Sequence, residues 1–216
     1  RGGAPMELGG VFMGQKCNVG YCVANMAMHW YHTYELNYAK TVYPFVIEAA
    51  DFWEDYLRFE PASMPEPPNR GGRPPVGMID GVAITNIPVS KLPPGRYVIY
   101  NSAIQENCYR DFNNPMDLGL VRNIFELILD MSKELGVDAD RREKWQHILK
   151  NLATFTTFEK DGKTVFRYSE KGTEWIEGNS VGLHHIYPAG VIGLDSDPKL
   201  LQIAKATMDA KGRPWF

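Results

Sequence analysis

Cysteines, long apolar runs and excess charge are all scarce in this chain of 216 residues. Its three cysteines, Cys17, Cys22 and Cys108, allow at most one disulfide and lack the spacing of a zinc site. No run approaches the roughly 20 apolar residues of a membrane helix, and a formal net charge of −3 disfavours nucleic acid as a partner. Phosphate-binding glycine loops and serine nucleophile elbows are also missing. We therefore expect no metal, no cofactor and no membrane partner.

Aromatic residues and prolines are present in quantity. Phe, Trp and Tyr make up 12% of the chain, beside fifteen prolines. This composition favours a large irregular core or an aromatic-lined pocket over a bare helical bundle. Because the chain begins at Arg1 without Met and stops at Trp215-Phe216 without a polar tail, we expect a processed protein or a fragment of a longer one.

The apolar periodicity predicts six helices in short-linked pairs. The first two are joined by only a few residues, which indicates an antiparallel hairpin. In the third, Asn114 is the N-cap candidate, Pro115 is the first helical residue and Gly136 ends the helix. This third helix is apolar on two sides, so we expect it to need partners from residues outside the chain or from a second chain. The predicted ranges are 19–37, 44–58, 115–135, 138–151, 180–186 and 200–210.

Between the second and third helices, residues 61–113 read as a long loop excursion. Its first part is rich in Pro and Gly, and its β-branched and aromatic stretches predict short strands. A second hairpin is expected at 156–168, around Asp161-Gly162. The fold class is therefore mainly α, with helical hairpins and small β-hairpins in long loops, and residues 1–216 form one domain or part of one.

Polar residues are concentrated where this excursion meets the third helix. Such a cluster on a rigid scaffold is typical of a site. Glu106 is the candidate general acid, because aromatic neighbours such as Tyr100, Tyr109 and Phe112 would raise its pKa. The alternative is a solvated Glu106 paired with Arg110.

Two other clusters have plainer interpretations. His184 and His185 point about 100° apart on a helix, so a cleft-lining or capping role is favoured over a shared metal ion. Asp195 and Asp197 resemble the start of a calcium loop but lack its glycine and its final glutamate, so helix capping is favoured.

Short motifs in a fixed order carry a family resemblance. They are MHWYHTYE, YPFVIEAADF, SAIQEN, MDLGLVRNIF, IYPAGVIGL and DPKLLQIAKATMDAKG, over about residues 19–212. The set resembles the C-terminal part of the catalytic region of family 95 glycoside hydrolases, which are α-L-fucosidases and α-L-galactosidases with an (α/α)6 toroid. The resemblance implies a partial toroid, because a toroid needs six hairpins and three are predicted here. The rest would come from residues outside this chain or from a second chain.

The same resemblance implies site residues. The family's general acid falls on Glu106, with Asn107 beside it as a substrate contact. Asn101, Tyr109, Asn25 and His184 complete the expected substrate-binding set. Asn25 stands where the family usually has histidine, and NSVGL replaces the family's H-x-S-H-L stretch, so we expect a remodelled pocket.

Other family features are expected outside this chain or explained by packing. The asparagines that position the water and the catalytic aspartate lie upstream and downstream of these residues in the family. Asp117 is interpreted as a capping residue that reaches back to backbone amides, and not as the missing base. Tyr109, Trp30 and Tyr34 could stack on sugar faces, although core packing is favoured for Trp30 and Tyr34.

Together these observations predict an inverting glycoside hydrolase that acts on an α-linked fucose- or galactose-type sugar in a glycan. The alternatives are another (α/α)6 glycosidase or phosphorylase, and a non-catalytic carbohydrate-binding toroid. The family's habit of degrading extracellular glycans implies a secreted or periplasmic protein.

Overall fold

The structure is a computed structural model that describes residues 15–63, 76–104 and 111–212. Within these ranges the fold is mainly α, with short antiparallel strand pairs, and the predicted fold class is confirmed. The helices are α1 (Asn18–Thr33), α2 (Leu36–Tyr56), α3 (Pro115–Leu135), α4 (Arg142–Asn151) and α5 (Pro198–Lys211). The strands are β1 (Arg58–Pro61), β2 (Met78–Ile79), β3 (Val82–Ala83), β4 (Gly95–Val98), β5 (Thr157–Lys160) and β6 (Lys163–Phe166).

The strands form three antiparallel pairs. β1 pairs with β4 so that Phe59 lies opposite Tyr97, and β2 pairs with β3 inside the excursion. β5 and β6 form the predicted hairpin, in which Asp161 and Gly162 both adopt positive φ at the turn. Residues 62–94 of the excursion therefore leave from and return to one small sheet, the β1–β4 pair, whose strand β4 packs against α4.

Helix α3 is the centre of the core. Fifteen of its 21 residues are buried, because α1, α2, α4 and the turn at 181–183 surround it. Large aromatic side chains from the neighbouring helices fill this core, and Trp30, Trp53 and Trp145 are fully buried. The expectation that α3 needs partners outside the chain is wrong: its apolar faces are covered by helices of the chain itself.

Helices α1 and α3 run parallel. Gly20 packs against Leu120, where a Cβ would lie 2.8 Å from the Leu120 Cβ, and ten residues later Trp30 donates to Asp130. Helices α2 and α4 run the opposite way. Tyr43, in the first half of α2, donates to Asp138 beyond the C-terminus of α3. Arg142 at the start of α4 donates to the Ser132 carbonyl, and Leu149 near its end accepts from Arg122. The N-termini of α1 and α3 therefore lie together at one end of the bundle, here called the site end.

Two predicted helix boundaries need correction. Helix α2 begins at Leu36 and not at residue 44, so Pro44 lies inside it and only Tyr34 and Glu35 separate it from α1. The exposed Pro44 removes one N–H donor without ending the helix. The short helix predicted at 180–186 is a single 3₁₀ turn, Val181–Leu183, because Gly182 packs closely against the ring of Tyr168 and Pro188 soon follows.

In the described ranges, no helix combines the length and apolarity required to cross a membrane.

Candidate functional site

The site end carries the flanks of the segment that contains the predicted acid. Glu106, Asn107 and Tyr109 lie outside the described residues. The chain on both sides of them is described, up to Ile104 and again from Asp111, and every residue from Ser102 to Ile104 and from Asp111 to Val121 is buried. The geometry of these flanks therefore defines the base of the candidate site.

Asn114 joins the start of α3 to the preceding flank. Its Oδ1 accepts from the backbone N–H of Asp117 at 2.8 Å, as predicted for an N-cap. Its Nδ2 donates to the Ser102 carbonyl at 3.0 Å and to Asp117 Oδ2 at 2.8 Å. One amide side chain thus caps the helix and holds the irregular segment that leads towards residue 105.

Asp111 fastens the two flanks to each other. Its backbone carbonyl accepts from the N–H of Ser102 at 3.2 Å, and its Oδ2 accepts from the N–H of Ile104 at 3.2 Å. Its Oδ1 accepts from the N–H of Thr173 at 2.8 Å. Burial raises the pKa of Asp111, while the hydrogen bonds from Thr173 and Ile104 oppose that rise. This buried carboxylate therefore bonds to the backbone of two distant loops.

Asn113 forms a second link between the segment before α3 and the chain at Ile99. Its Oδ1 accepts from the Ile99 N–H at 2.8 Å, and its own N–H donates to the Ile99 carbonyl at 3.0 Å. Its Nδ2 donates to Glu170 at 2.7 Å, and Arg96 holds Glu170 with two hydrogen bonds of 2.9 Å. Burial opposes ionisation of Glu170, but Arg96 and Asn113 outweigh it and lower its pKa.

Asp117 is fully buried one turn into α3. Burial raises its pKa to about 6, although Ser102, Asn114 and Lys16 pull it down; Asp111 adds to the rise. Its Oδ1 and the Ser102 hydroxyl are both buried without a hydrogen bond of good geometry, despite their proximity. The prediction that Asp117 reaches a backbone amide is wrong, because its Oδ2 accepts from the Asn114 side chain.

Tyr21 and His184 form the more accessible part of the site end. The Tyr21 hydroxyl is hydrogen-bonded to His184 Nδ1 and lies 2.9 Å from the sulfur of Met116. Burial raises the pKa of Tyr21 and lowers that of the half-buried His184. A neutral imidazole beside a protonated phenol provides a pair of side chains that can both donate and accept hydrogen bonds.

The remaining described site residues have different surroundings. Asn101 is half-buried at the site end and adopts a positive φ of 50°, directly before Ser102. Asn25 is exposed on α1, one turn beyond Tyr21. The structure therefore brings Asn101 and His184 to the same end of the bundle, and Asn25 lies further along α1.

His185 differs from its neighbour and belongs to the core. Its ring lies between Phe155 and Phe166, with centroid distances of 4.5 and 4.6 Å. Burial lowers its pKa to about 3, and His184 adds to this effect. Neither ring nitrogen forms a hydrogen bond of good geometry, although Gly182 lies near enough to raise the pKa slightly. A cleft-lining or capping role is therefore wrong for His185.

Trp30 and Tyr34 lie away from the site end. Trp30 is fully buried and donates to Asp130 at 2.7 Å, which confirms core packing. Tyr34 is exposed after the last turn of α1, roughly 20 Å along the helix from Tyr21, so the core packing favoured for it is wrong. Sequence reasoning missed the Tyr21–His184 contact and the Asp111–Thr173 contact, because they join residues 163 and 62 positions apart.

The comparison with known families agrees with this architecture. Residues 13–215 match the model of the glycosyl hydrolase family 95 catalytic domain, so the domain is that of a glycoside hydrolase. The chain belongs to glycosyl hydrolase family 95, as its motifs indicated. Its substrate class is therefore a glycan. No curated protein matches the chain at a significant level.

Proposed function

We propose that this protein hydrolyses the terminal bond of an α-linked fucose- or galactose-type sugar with inversion, and that Glu106 is the general acid. The observation that supports this proposal is the buried network at the site end. Ser102 and Ile104 on one flank are bonded to Asp111 on the other, so the six residues between them start and finish on a rigid base. Catalytic groups need such support to stay in a productive geometry.

The two carboxyl groups of the described network, those of Asp111 and Asp117, are too buried to be the general acid, which favours Glu106 for that role. Asp111 is buried and already accepts from two backbone N–H groups. Asp117 is fully buried behind Asn114 and Ser102. Neither is accessible to a glycan, whereas Glu106 belongs to the segment that this network supports.

In the proposed reaction, the Glu106 carboxylic acid gives its proton to the leaving glycosidic oxygen as the bond from that oxygen to the anomeric carbon breaks. A water molecule attacks the anomeric carbon from the opposite face and loses its proton to a general base. The family resemblance implies that this base lies outside the chain. The products are the free sugar with inverted anomeric configuration and the shortened glycan.

We further propose that Asn107, Asn101, Tyr109, His184 and Asn25 contact the sugar. His184 is supported best, because Tyr21 fixes its ring while the residue stays half-accessible. A secreted or periplasmic location is also proposed, since extracellular glycans are the substrates that the family resemblance implies. Fractionation of the source cells checks this, and activity confined to the cytosol would contradict it.

The experiment compares the full-length wild type with Glu106→Gln on aryl α-L-fucoside and aryl α-L-galactoside. General acid catalysis contributes about 10²- to 10⁴-fold, so we expect a loss of that size on a poor leaving group. Proton NMR of the first product formed should show inversion. Glu159→Gln is the matched control, because Glu159 is exposed on β5.

Several results would contradict the proposal. Unchanged activity in Glu106→Gln would remove Glu106 as the acid. A requirement for phosphate would indicate a phosphorylase, and a retained anomeric configuration would exclude inversion. Glycan binding without hydrolysis by the wild type would indicate a carbohydrate-binding toroid.

A further inference from the structure

The strongest unassigned feature is the carboxylate of Asp111, which is 2% exposed and has no role in the chemistry described above. It accepts the Ile104 N–H with one oxygen and the Thr173 N–H with the other. Gly172 makes room for it: a Cβ at that position would lie 2.4 Å from Asp111 Oδ1, and the φ of +111° suits glycine. The loop at 172–173 is therefore shaped around this one carboxylate.

We propose that Asp111 is a positioning residue for the general acid. Its carboxylate holds Ile104, where the first flank ends, against Asp111 itself, where the second flank starts. Asp111 is only five residues beyond Glu106 in the sequence. It ties both flanks to the loop at Thr173, which is a separate part of the chain. This inference rests on the proposed function, because it needs Glu106 to be the acid.

The neighbouring contacts show why a carboxylate is required there. Both backbone donors belong to buried or half-buried chain, and an unpaired buried N–H is unfavourable. A carboxylate offers two acceptor oxygens, whereas an asparagine side chain offers one. In Asp111→Asn, therefore, either Ile104 or Thr173 loses its acceptor and meets an N–H group instead, while the side-chain volume is unchanged.

The test uses the leaving group to separate positioning from stability. A glycoside with a poor leaving group needs protonation by the acid as the glycosidic bond breaks. A 2,4-dinitrophenyl glycoside does not, because its aglycone leaves as the stable 2,4-dinitrophenolate anion. If Asp111 positions the acid, Asp111→Asn should lower kcat on the poor leaving group by about 10- to 100-fold, with KM within about threefold. On the dinitrophenyl glycoside its kcat should fall by less than about threefold.

Two further variants complete the experiment. Ser132→Ala is the matched control, because Ser132 is a buried hydrogen-bonding side chain at the other end of α3. It should lower Tm without any dependence on the leaving group. Asn114→Ser covers the case in which Asp111→Asn does not fold: serine keeps the N-cap acceptor but removes the donor to the Ser102 carbonyl. It should reproduce the leaving-group dependence.

The outcomes separate the two proposals. Leaving-group dependence in Glu106→Gln but not in Asp111→Asn or Asn114→Ser would overturn the positioning role alone. If Glu106→Gln itself loses activity equally on both substrates, the acid assignment fails and the positioning role fails with it. A dependence in Ser132→Ala equal to that in Asp111→Asn would show a general effect of destabilisation and would also overturn the inference.

Discussion

The two ends of α3 have similar burial but use their polar groups in different ways. At the C-terminal end, Gly136 adopts a left-handed conformation, and Ser132 and Arg142 donate to carbonyls of the last turn and of Val137. These contacts are local, within about ten residues. At the N-terminal end, Asn114 also donates outward to the Ser102 carbonyl, in a separate segment that follows β4.

The difference extends to the atoms left without partners. The hydroxyl of Ser132 donates to Val137 and accepts from Arg142, so the C-terminal end is satisfied. At the site end, Asp117 Oδ1 and the Ser102 hydroxyl are buried without a well-formed hydrogen bond. Proteins keep such unfavourable features where function requires them. The C-terminal end is thus organised for stability, and the N-terminal end also supports the chain that carries the proposed acid.

The largest expected contrast in stability is between alanine substitutions at two glycines, Gly119 near the start of α3 and Gly136 at its end. In Gly119→Ala, the new Cβ would lie 2.6 Å from the Cα of His185, so the backbone must move. We expect a loss of about 3 kcal/mol in the free energy of unfolding. In Gly136→Ala nothing lies within 4 Å of the new Cβ, and only the left-handed φ opposes it, at about 1 kcal/mol. Urea denaturation of both variants measures the contrast, and equal losses would contradict it.

A second pair of variants removes one buried polar side chain from each end. Asn114→Ala loses the N-cap and leaves the Asp117 carboxyl without its amide partner, so we expect a loss of about 2 to 3 kcal/mol. Ser132→Ala removes two local hydrogen bonds and should lose about 1 to 2 kcal/mol. Thermal and urea unfolding check the order of the two losses, and a greater loss at Ser132 would reverse the comparison.

The smallest effect concerns the pH dependence of stability. Asp117 has a pKa of about 6 when folded against an ordinary value near 3.8, because burial disfavours its charge. Between these values the folded protein holds a proton that the unfolded chain releases. The contribution of Asp117 to the free energy of unfolding therefore falls as pH rises from about 4 to 6. Asp117→Asn lacks this titration, and its amide can also donate towards the Ser102 hydroxyl.

The measurement is the difference in unfolding free energy between wild type and Asp117→Asn. We expect this difference to shift in favour of the variant by roughly 2 kcal/mol between pH 4 and pH 7. His185 has the opposite slope, because its lowered pKa makes acid destabilising, but it contributes equally to both proteins. A difference that does not change with pH would show that Asp117 titrates normally.

Local signals in the sequence predicted much of this fold. Asn114 and Pro115 mark the start of α3, Gly136 marks its end, and Asp197 caps α5 through the Lys199 N–H as its position suggested. These features depend on side chains acting within a few residues of their own position. The prediction failed at Pro44, since a proline inside a helix and a proline at its start look alike in a sequence.

The candidate site was less predictable because its contacts are long-range. The polar cluster before α3 was recognised, but nothing local shows that Asp111 bonds to Thr173, 62 positions away. His184 and His185 are adjacent, yet one contacts Tyr21 and the other lies between two phenylalanines. The two side chains have different surroundings because the 3₁₀ turn that precedes them packs against α3, and a sequence does not show that packing.

The parallel course of α1 and α3 also divides the chain's connections into two kinds. At the end opposite the site, α1 joins α2 through Tyr34 and Glu35, and α3 is followed within a few residues by the turn at Ala139–Arg141. At the site end, α2 and α4 each lead into a long segment before the next α-helix, over residues 57–114 and 152–197 of the sequence. Under the proposed function, insertions and substitutions in these long segments would alter sugar recognition while the short turns keep the helices in register. Substrate preference and folding can therefore diverge independently within one chain.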